Sequence, residues 1–282
     1  MRFGNVLNSC SKPQKGSKMN QEIFETYFPG LIVKEEDREK CENYLKLKGI
    51  ERYSSLYFAL KSKTENEIDY ELLSQHYRYD VKLRRALHKT ISFIEIAMRA
   101  AINNAYFNQH VQLSKDRWMS EISDLFGVEY KPEQIVKRKI KRLFTDRNVE
   151  TISLFELLEN CDMHVLNSIF LLLDFEKQKE VFDNDFEHLK ENLDALRELR
   201  NCVEHHQLLI IKPLKKTWSN GEWQTSLQAN VQNAINLSPK NARKNLKKLL
   251  NSCLVIEESE NRSEENTYQL LPTFKVYFED VE

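Results

Sequence analysis

The residues most able to do chemistry stand together at Arg200-Asn201-Cys202-Val203-Glu204-His205-His206, which reduces to Arg-Asn-x-x-x-His. In a chain of 282 residues with 15 Arg, 23 Asn and 7 His, random order yields this kernel about 0.03 times. A histidine takes or gives a proton near neutral pH. An arginine carries a permanent planar cation, and an asparagine offers both donors and an acceptor to orient a neighbour. Together, Arg200, Asn201 and His205 suit cleavage of RNA without a metal. A base removes the 2′-hydroxyl proton, the oxygen attacks the adjacent phosphate, and the cation meets the charge that builds there. On an ideal helix Asn201 and His205 share a face, while Arg200 lies about 140° from His205. The arginine then reaches around the helix, or a second subunit completes the site.

The same residues allow plainer readings. Arg200 and Glu204 are spaced to form a surface ion pair. His205 and His206 lie in a last helical turn, where a protonated imidazole meets the negative end of the helix. Cys202 could act as a nucleophile, yet no separate His–Asn pair accompanies it. Cys202 with the two histidines falls short of the four ligands zinc takes. The chain has no glycine-rich phosphate loop, no GxSxG and no HExxH.

The motif closes a helix expected over Asp185–Glu204, in which Leu189, Leu193, Leu196, Leu199 and Val203 recur at core-facing steps. The strongest helical pattern is Tyr79–Phe107, with Leu83, Leu87, Ile91, Ile94, Met98, Ala101 and Ala105 as its stripe and no Pro or Gly inside. Arg84, His88, Ile91, Glu95 and Arg99 form a second line in one narrow sector beside that stripe. That line is a functional edge, or simply a place where Glu95 and Arg99 pair.

Further helices are expected at Lys34–Lys48 (closed by Gly49), Glu51–Lys63, Trp118–Phe126, Pro132–Thr145, Ile152–Glu159 and Asp162–Asp174. Another runs from the Ser238-Pro239 start to about Ser252. In the Pro132–Thr145 helix, Val136, Ile140, Leu143 and Phe144 face the core, and Lys137, Arg138, Lys141 and Arg142 lie largely away from it. Such a basic face tracks a phosphate backbone, or is only solvated. Leu208–Trp218 and Glu222–Leu227 flank Ser219-Asn220-Gly221, a strong hairpin signal, with Pro213 weakening the first run. Lys61–Asp69 and the acidic Glu257–Asn266 read as loops, and Phe274–Phe278 as a terminal strand.

Only 6 Gly and 6 Pro among 282 residues favour long helices with short connections. The expected fold is mainly all-α, a helical bundle with a small β-hairpin near the C-terminus. Residues 1–20 form a loose arm, 21–212 one helical domain, and 213–282 a hairpin, helix and tail packed on that domain. With 42 Lys+Arg against 43 Asp+Glu the net charge is −1, so nucleic-acid contact must come from a local patch. Cys10, Cys41, Cys161, Cys202 and Cys253 are scattered and read as reduced thiols of a cytoplasm. No stretch approaches the about 18 apolar residues of a membrane span, and residues 1–20 lack the apolar core of a signal peptide. No membrane contact, metal or cofactor is expected.

Two segments resemble the Abi-like (abortive infection) proteins. Tyr79-Asp80-x-x-Leu83-Arg84 followed by Ile94-Glu95-Ile96-Ala97-Met98-Arg99 resembles their first signature, and Arg200–His206 their closing Arg-Asn-x-x-x-His-His after a leucine-striped helix. Tyr44-Leu45 with Gly49-Ile50 is similar to their N-terminal region, so the likeness covers roughly residues 35–212. Abi-like proteins belong to the HEPN superfamily. The resemblance implies an all-α bundle and metal-independent RxxxxH endoribonuclease chemistry in a homodimer that pools two motifs in one cleft. It also implies a role in bacterial phage defence or toxin–antitoxin systems, with RNA as substrate and a small RNA or an antitoxin as further partners. Carried onto this chain, Arg200 and His205 are the catalytic pair and Asn201 the orienting residue. Arg84, Glu95 and Arg99 fall on the first signature and line the cleft. Arg84, Arg99 and His206 join Lys137, Arg138, Lys141 and Arg142 as RNA contacts. Glu204 departs from the small residue that the family often has there, and its carboxylate would pair with Arg200 or repel RNA. A HEPN module that binds RNA or a partner without cutting is the alternative.

Overall fold

The computed structural model describes residues 21–62, 67–182, 188–219 and 221–238. The chain forms two compact units, Met1–Arg78 and Tyr79–Glu282, and the division falls inside a helix. The first unit holds α1 (Gln21–Tyr27), α2 (Arg38–Lys48), α3 (Ile50–Lys61) and the opening nine residues of α4 (Tyr70–Tyr106). Its core is aromatic: Phe28 meets Tyr57 edge-on, and Tyr53 stacks on Tyr77 with centroids 4.2 Å apart.

The second unit holds the remainder of α4, then β1 (Gln112–Ser114), α5 (Trp118–Phe126), α6 (Gln134–Arg147) and β2 (Thr151–Ser153). It continues with α7 (Leu154–Asn160), α8 (Met163–Phe170), α9 (Phe175–Phe182), α10 (Leu189–Glu204), β3 (Thr217–Ser219), β4 (Glu222–Gln224) and α11 (Leu227–Asn236). The architecture is mainly α, as expected, with two small antiparallel strand pairs, β1–β2 and β3–β4, among the described residues.

The stripes read from periodicity are the core. Leu83, Leu87, Ile91, Ile94 and Met98 of α4 are buried, as are Leu189, Leu193, Leu196, Leu199 and Val203 of α10 and Val136, Ile140 and Phe144 of α6. Buried amides lock the layers together. Asn167 of α8 donates to the Leu193 carbonyl at 3.0 Å, and Asn233 of α11 donates to the Asn192 carbonyl at 2.9 Å.

Several boundaries differ from the sequence reading, each for a local reason. α4 starts at Tyr70, nine residues early, because Asp69 caps it by accepting from the Leu72 amide at 2.7 Å and because Leu73 and Tyr77 extend the buried stripe. The expected helix at Ile152 is a strand first: Ile152 lies opposite Leu113, and both are buried. Helix α7 begins only at Leu154, where Ser153 and Glu156 form a reciprocal capping box. The span Asp162–Asp174 contains α8 alone, and α9 follows with Asp174 accepting from the Lys177 amide at 3.0 Å. The hairpin is shorter than expected, with Leu209–Ile211 a 3-10 turn. Helix α11, capped by Ser226, was not foreseen. The readings for residues 1–20, 63–66 and 183–187, Asn220, the helix after Ser238, the acidic loop and the Phe274–Phe278 strand lie outside the described residues.

Candidate functional site

The motif occupies the last turn of α10. Its helix ends in a Schellman turn: the His206 amide donates to the Val203 carbonyl at 3.1 Å and the Gln207 amide to the Cys202 carbonyl at 2.9 Å. This geometry needs a left-handed residue after the cap, and His206 takes that role at φ 53°. Glycine is the usual occupant, because a side chain is strained there. His205 is the C-cap itself, and both histidines are exposed.

Arg200 reaches from α10 to α4. Its Nε lies 3.3 Å from Glu95 Oε1, across 105 residues of sequence. Glu95 also meets Arg99 at 3.5 Å. Arg99 in turn donates to the carbonyls of Leu158 and, at 3.2 Å, Cys161, which lie at the end of α7 where carbonyls lack helical partners. One carboxylate thus stands between two guanidiniums, and the second guanidinium is tied to backbone. The expected Arg200–Glu204 pair does not form. Glu204 instead lies 3.2 Å from His88 Nε2.

A third tie lies deeper. Asp80 is fully buried, with Oδ2 at 2.6 Å from Arg84 Nε. Its Oδ1 accepts from the amides of Leu209 at 2.6 Å and Ile210 at 3.3 Å, just beyond the motif. Burial pushes the Asp80 carboxyl up, while Arg84 and the two amides pull it down. The pairs 88/204 and 95/200 run in opposite order along α4 and α10, so the two helices are antiparallel, and the 80/209 tie just beyond α10 holds the motif end at a third level.

Several of the residues expected to contact RNA have protein partners in the structure. Arg84, read as lining the cleft, is buried against Asp80. Arg99, read the same way, is committed to Glu95 and two carbonyls and serves to position Glu95. On α6, Arg142 pairs with Asp146 at 3.0 Å. Arg138 and Lys141 are exposed and Lys137 half-buried, and none of the three has an ion-pair partner among the described residues. Lys139 pairs with Asp162, which caps α8 by accepting from the amides of His164 and Val165. Burial opposes the Asp162 charge, but Lys139 and those amides outweigh it and hold the carboxyl below its ordinary value. The turn that Arg99 grips is therefore the turn that Lys139 grips from α6.

The structure places Arg200, Asn201 and His205 on one helix end without hydrogen bonds among their side chains. Arg200 engages Glu95 through Nε, and its two terminal nitrogens have no hydrogen-bond partner among the described residues. Cys202 is buried, which together with Glu198 pushes its thiol up, away from nucleophilic use. The sequence reading missed the roles of Asp80 and His88, although both stand on the polar line of α4 or its extension.

Fold and site together define a mainly helical protein with an Arg-Asn-x-x-x-His turn clamped to a long antiparallel helix. Among the described residues no helix is long and apolar enough to cross a membrane. The model of the Abi-like protein family matches residues 41–210, more than half of the chain, and the chain belongs to that family. The family points to abortive infection, a form of antiphage defence. The match ends at Ile210, the last residue that Asp80 holds. No curated protein and no solved structure matches the chain.

Proposed function

We propose that the chain is a HEPN-type endoribonuclease that acts in the cytoplasm during abortive infection, cleaving RNA through its own 2′-hydroxyl. One observation carries the reading: His205 is open to solvent at the end of α10, while Arg200, five residues before it, is anchored through Nε with its terminal donors spare. His205 takes the 2′-hydroxyl proton. The oxygen attacks phosphorus, the bond to the 5′-oxygen breaks, and that oxygen takes a proton from solvent water as it leaves, while His205 returns its own to solvent. The products are a 2′,3′-cyclic phosphate and a 5′-hydroxyl. Arg200 meets the charge on the phosphoryl oxygens, and Asn201 orients one of its neighbours. Lys137, Arg138 and Lys141 hold backbone phosphates, and His206 sits beside the scissile group.

Ideal helix geometry sets Arg200 and His205 about 140° apart, which favours a homodimer in which two motifs share a cleft. Phe93, Ile96 and Phe107 of α4 or its end, and Phe155 of α7, are exposed apolar side chains, with Ile96 adjacent to Glu95. A second copy would cover this surface. A small RNA or an antitoxin is a further partner on this reading.

A second reading has one observation in its favour. The Glu95 carboxylate occupies Arg200, so the fold could bind RNA or a partner protein without cutting. The test is an oligonucleotide carrying a single 2′-deoxy sugar at the position the protein cleaves in its all-RNA counterpart. The ribonuclease reading predicts that this linkage survives while others are cut. Cleavage at the deoxy position would overturn it, and absence of cleavage in both substrates would favour the silent module.

A further inference from the structure

The β3–β4 hairpin carries an aromatic surface that the motif does not use. Trp218 and Trp223 face each other across the strands, with rings 5.3 Å apart at 69°. His188, directly before α10, packs on both at 4.5 and 4.9 Å. A plug for the core would bury these rings, yet Trp223 is 42% exposed.

The backing of this surface is rigid. The buried side chain of Asn192 accepts from Thr217 Oγ1 at 2.9 Å and from the Trp218 amide at 2.8 Å. Asn230 donates to the Lys215 carbonyl at 3.1 Å. The Trp223 indole packs on Trp218 and His188 against this hydrogen-bonded strand, and a ring already placed lowers the ordering cost of binding.

Charge surrounds it. Trp223 lines an open cavity of about 410 Å³ with Glu191, Asp194, Lys215 and Lys216. Lys212, Lys215 and Lys216 are exposed, so three cations lie on the chain that leads into the hairpin. Asp194 is engaged by Arg197 at 3.5 Å. Glu191 remains on the wall, where a base amino group rather than a phosphate would meet it. Asp194 and Asn201 are seven residues apart on α10, hence on one face and about 10 Å apart along the axis.

We propose that this hairpin is a base-stacking platform for single-stranded RNA. One base lies on the Trp223 indole, its flanking phosphates lie against Lys215 and Lys216, and the strand continues along α10 to the motif a few nucleotides away. Aromatic faces flanked by cations bind single strands in this way. The inference rests on the ribonuclease reading for the identity of the strand, and on the hairpin's own geometry for the rest.

The test uses the full-length protein carrying His205→Ala, titrated into a fluorescein-labelled oligoadenylate of eight nucleotides. Adding Trp223→Ala is expected to weaken binding about 5- to 150-fold, the range measured for loss of one stacked base. Trp223→Phe, which keeps a stacking face, is expected to retain most of the affinity. Lys215→Gln with Lys216→Gln is expected to weaken binding and flatten its salt dependence. Binding unchanged by Trp223→Ala overturns the proposal, as does equal loss in the Phe and Ala variants or no binding by the His205→Ala parent. His205-dependent cleavage with no Trp223 effect would reject the platform and keep the ribonuclease. Trp223-dependent binding by a protein that never cleaves would do the reverse.

Discussion

The contact that sets the motif against α4 is the Arg200–Glu95 pair, and its strength can be worked from its geometry. At 3.3 Å the Coulomb attraction is about 1.3 kcal/mol in water and about 5 kcal/mol at the effective dielectric of about 20 that suits protein sites. The Arg200 side chain is 33% exposed and that of Glu95 16%, so the pair lies between a surface bridge, with about 0–1 kcal/mol, and a buried one. Desolvation of Glu95 and ordering of the arginine offset much of the gross term, leaving a net coupling of about 1–2 kcal/mol. A double-mutant cycle with Glu95→Gln and Arg200→Gln isolates that coupling, because Arg99 keeps its two carbonyl partners in every variant. In thermal unfolding each single variant should lower Tm by about 2–8 °C, at about 2–4 °C per kcal/mol for a unit of this size. The double variant should lose less than the sum. Raising salt from 0.1 to 1 M should shrink the coupling only partly, since buried charges are screened less. Additive losses within about 0.3 kcal/mol would refute the argument and mean that Glu95 does not hold Arg200 in solution.

Three further outcomes follow from neighbouring contacts. Asp80→Ala leaves Arg84 buried without a partner and frees two amides, so it should cost about 3–5 kcal/mol in denaturant unfolding, and hydrogen exchange at Leu209 and Ile210 should speed up; a loss within 1 kcal/mol contradicts the buried tie. His206→Gly relieves a left-handed side chain and should stabilise by up to about 1 kcal/mol, whereas His206→Val should destabilise; the reverse order of Tm values would contradict the Schellman ending. Replacing Lys137, Arg138 and Lys141 together by Gln should reduce the slope of log affinity for single-stranded RNA against log salt by about 2, with a smaller change for Arg142→Gln because Asp146 already engages it; unchanged slopes would remove α6 from the RNA surface.

How much of this was legible depends on range. Periodicity located the cores of α4, α6 and α10, because each buries one stripe and the stripe repeats within a few residues. The ends of α5, Trp118–Phe126, agree with the expectation, and Gly127 in the left-handed region closes the helix. Local chemistry also marks the boundaries that differ: Asp69 and Ser153 are ordinary caps, yet the sequence reading begins the long helix at Tyr79 and the next one at Ile152. The polar line on α4 was visible, but not its rotation. Asp80 neutralises Arg84 and lets it enter the core, a burial that spacing alone does not encode. The Arg200–Glu95 contact joins residues 105 apart. No local pattern encodes it; spacing favours Glu204, four residues away, but His88 holds that carboxylate.

The central claim is that Arg200 and His205 cleave RNA by attack of its own 2′-hydroxyl. The most direct measurement is cleavage of a labelled RNA in excess EDTA by the wild-type protein beside His205→Ala, with the ends of the products identified. The account predicts fragments from the wild type alone, bearing 2′,3′-cyclic phosphate and 5′-hydroxyl ends. Equal cleavage by His205→Ala, or fragments ending in 3′-hydroxyl and 5′-phosphate, would contradict it.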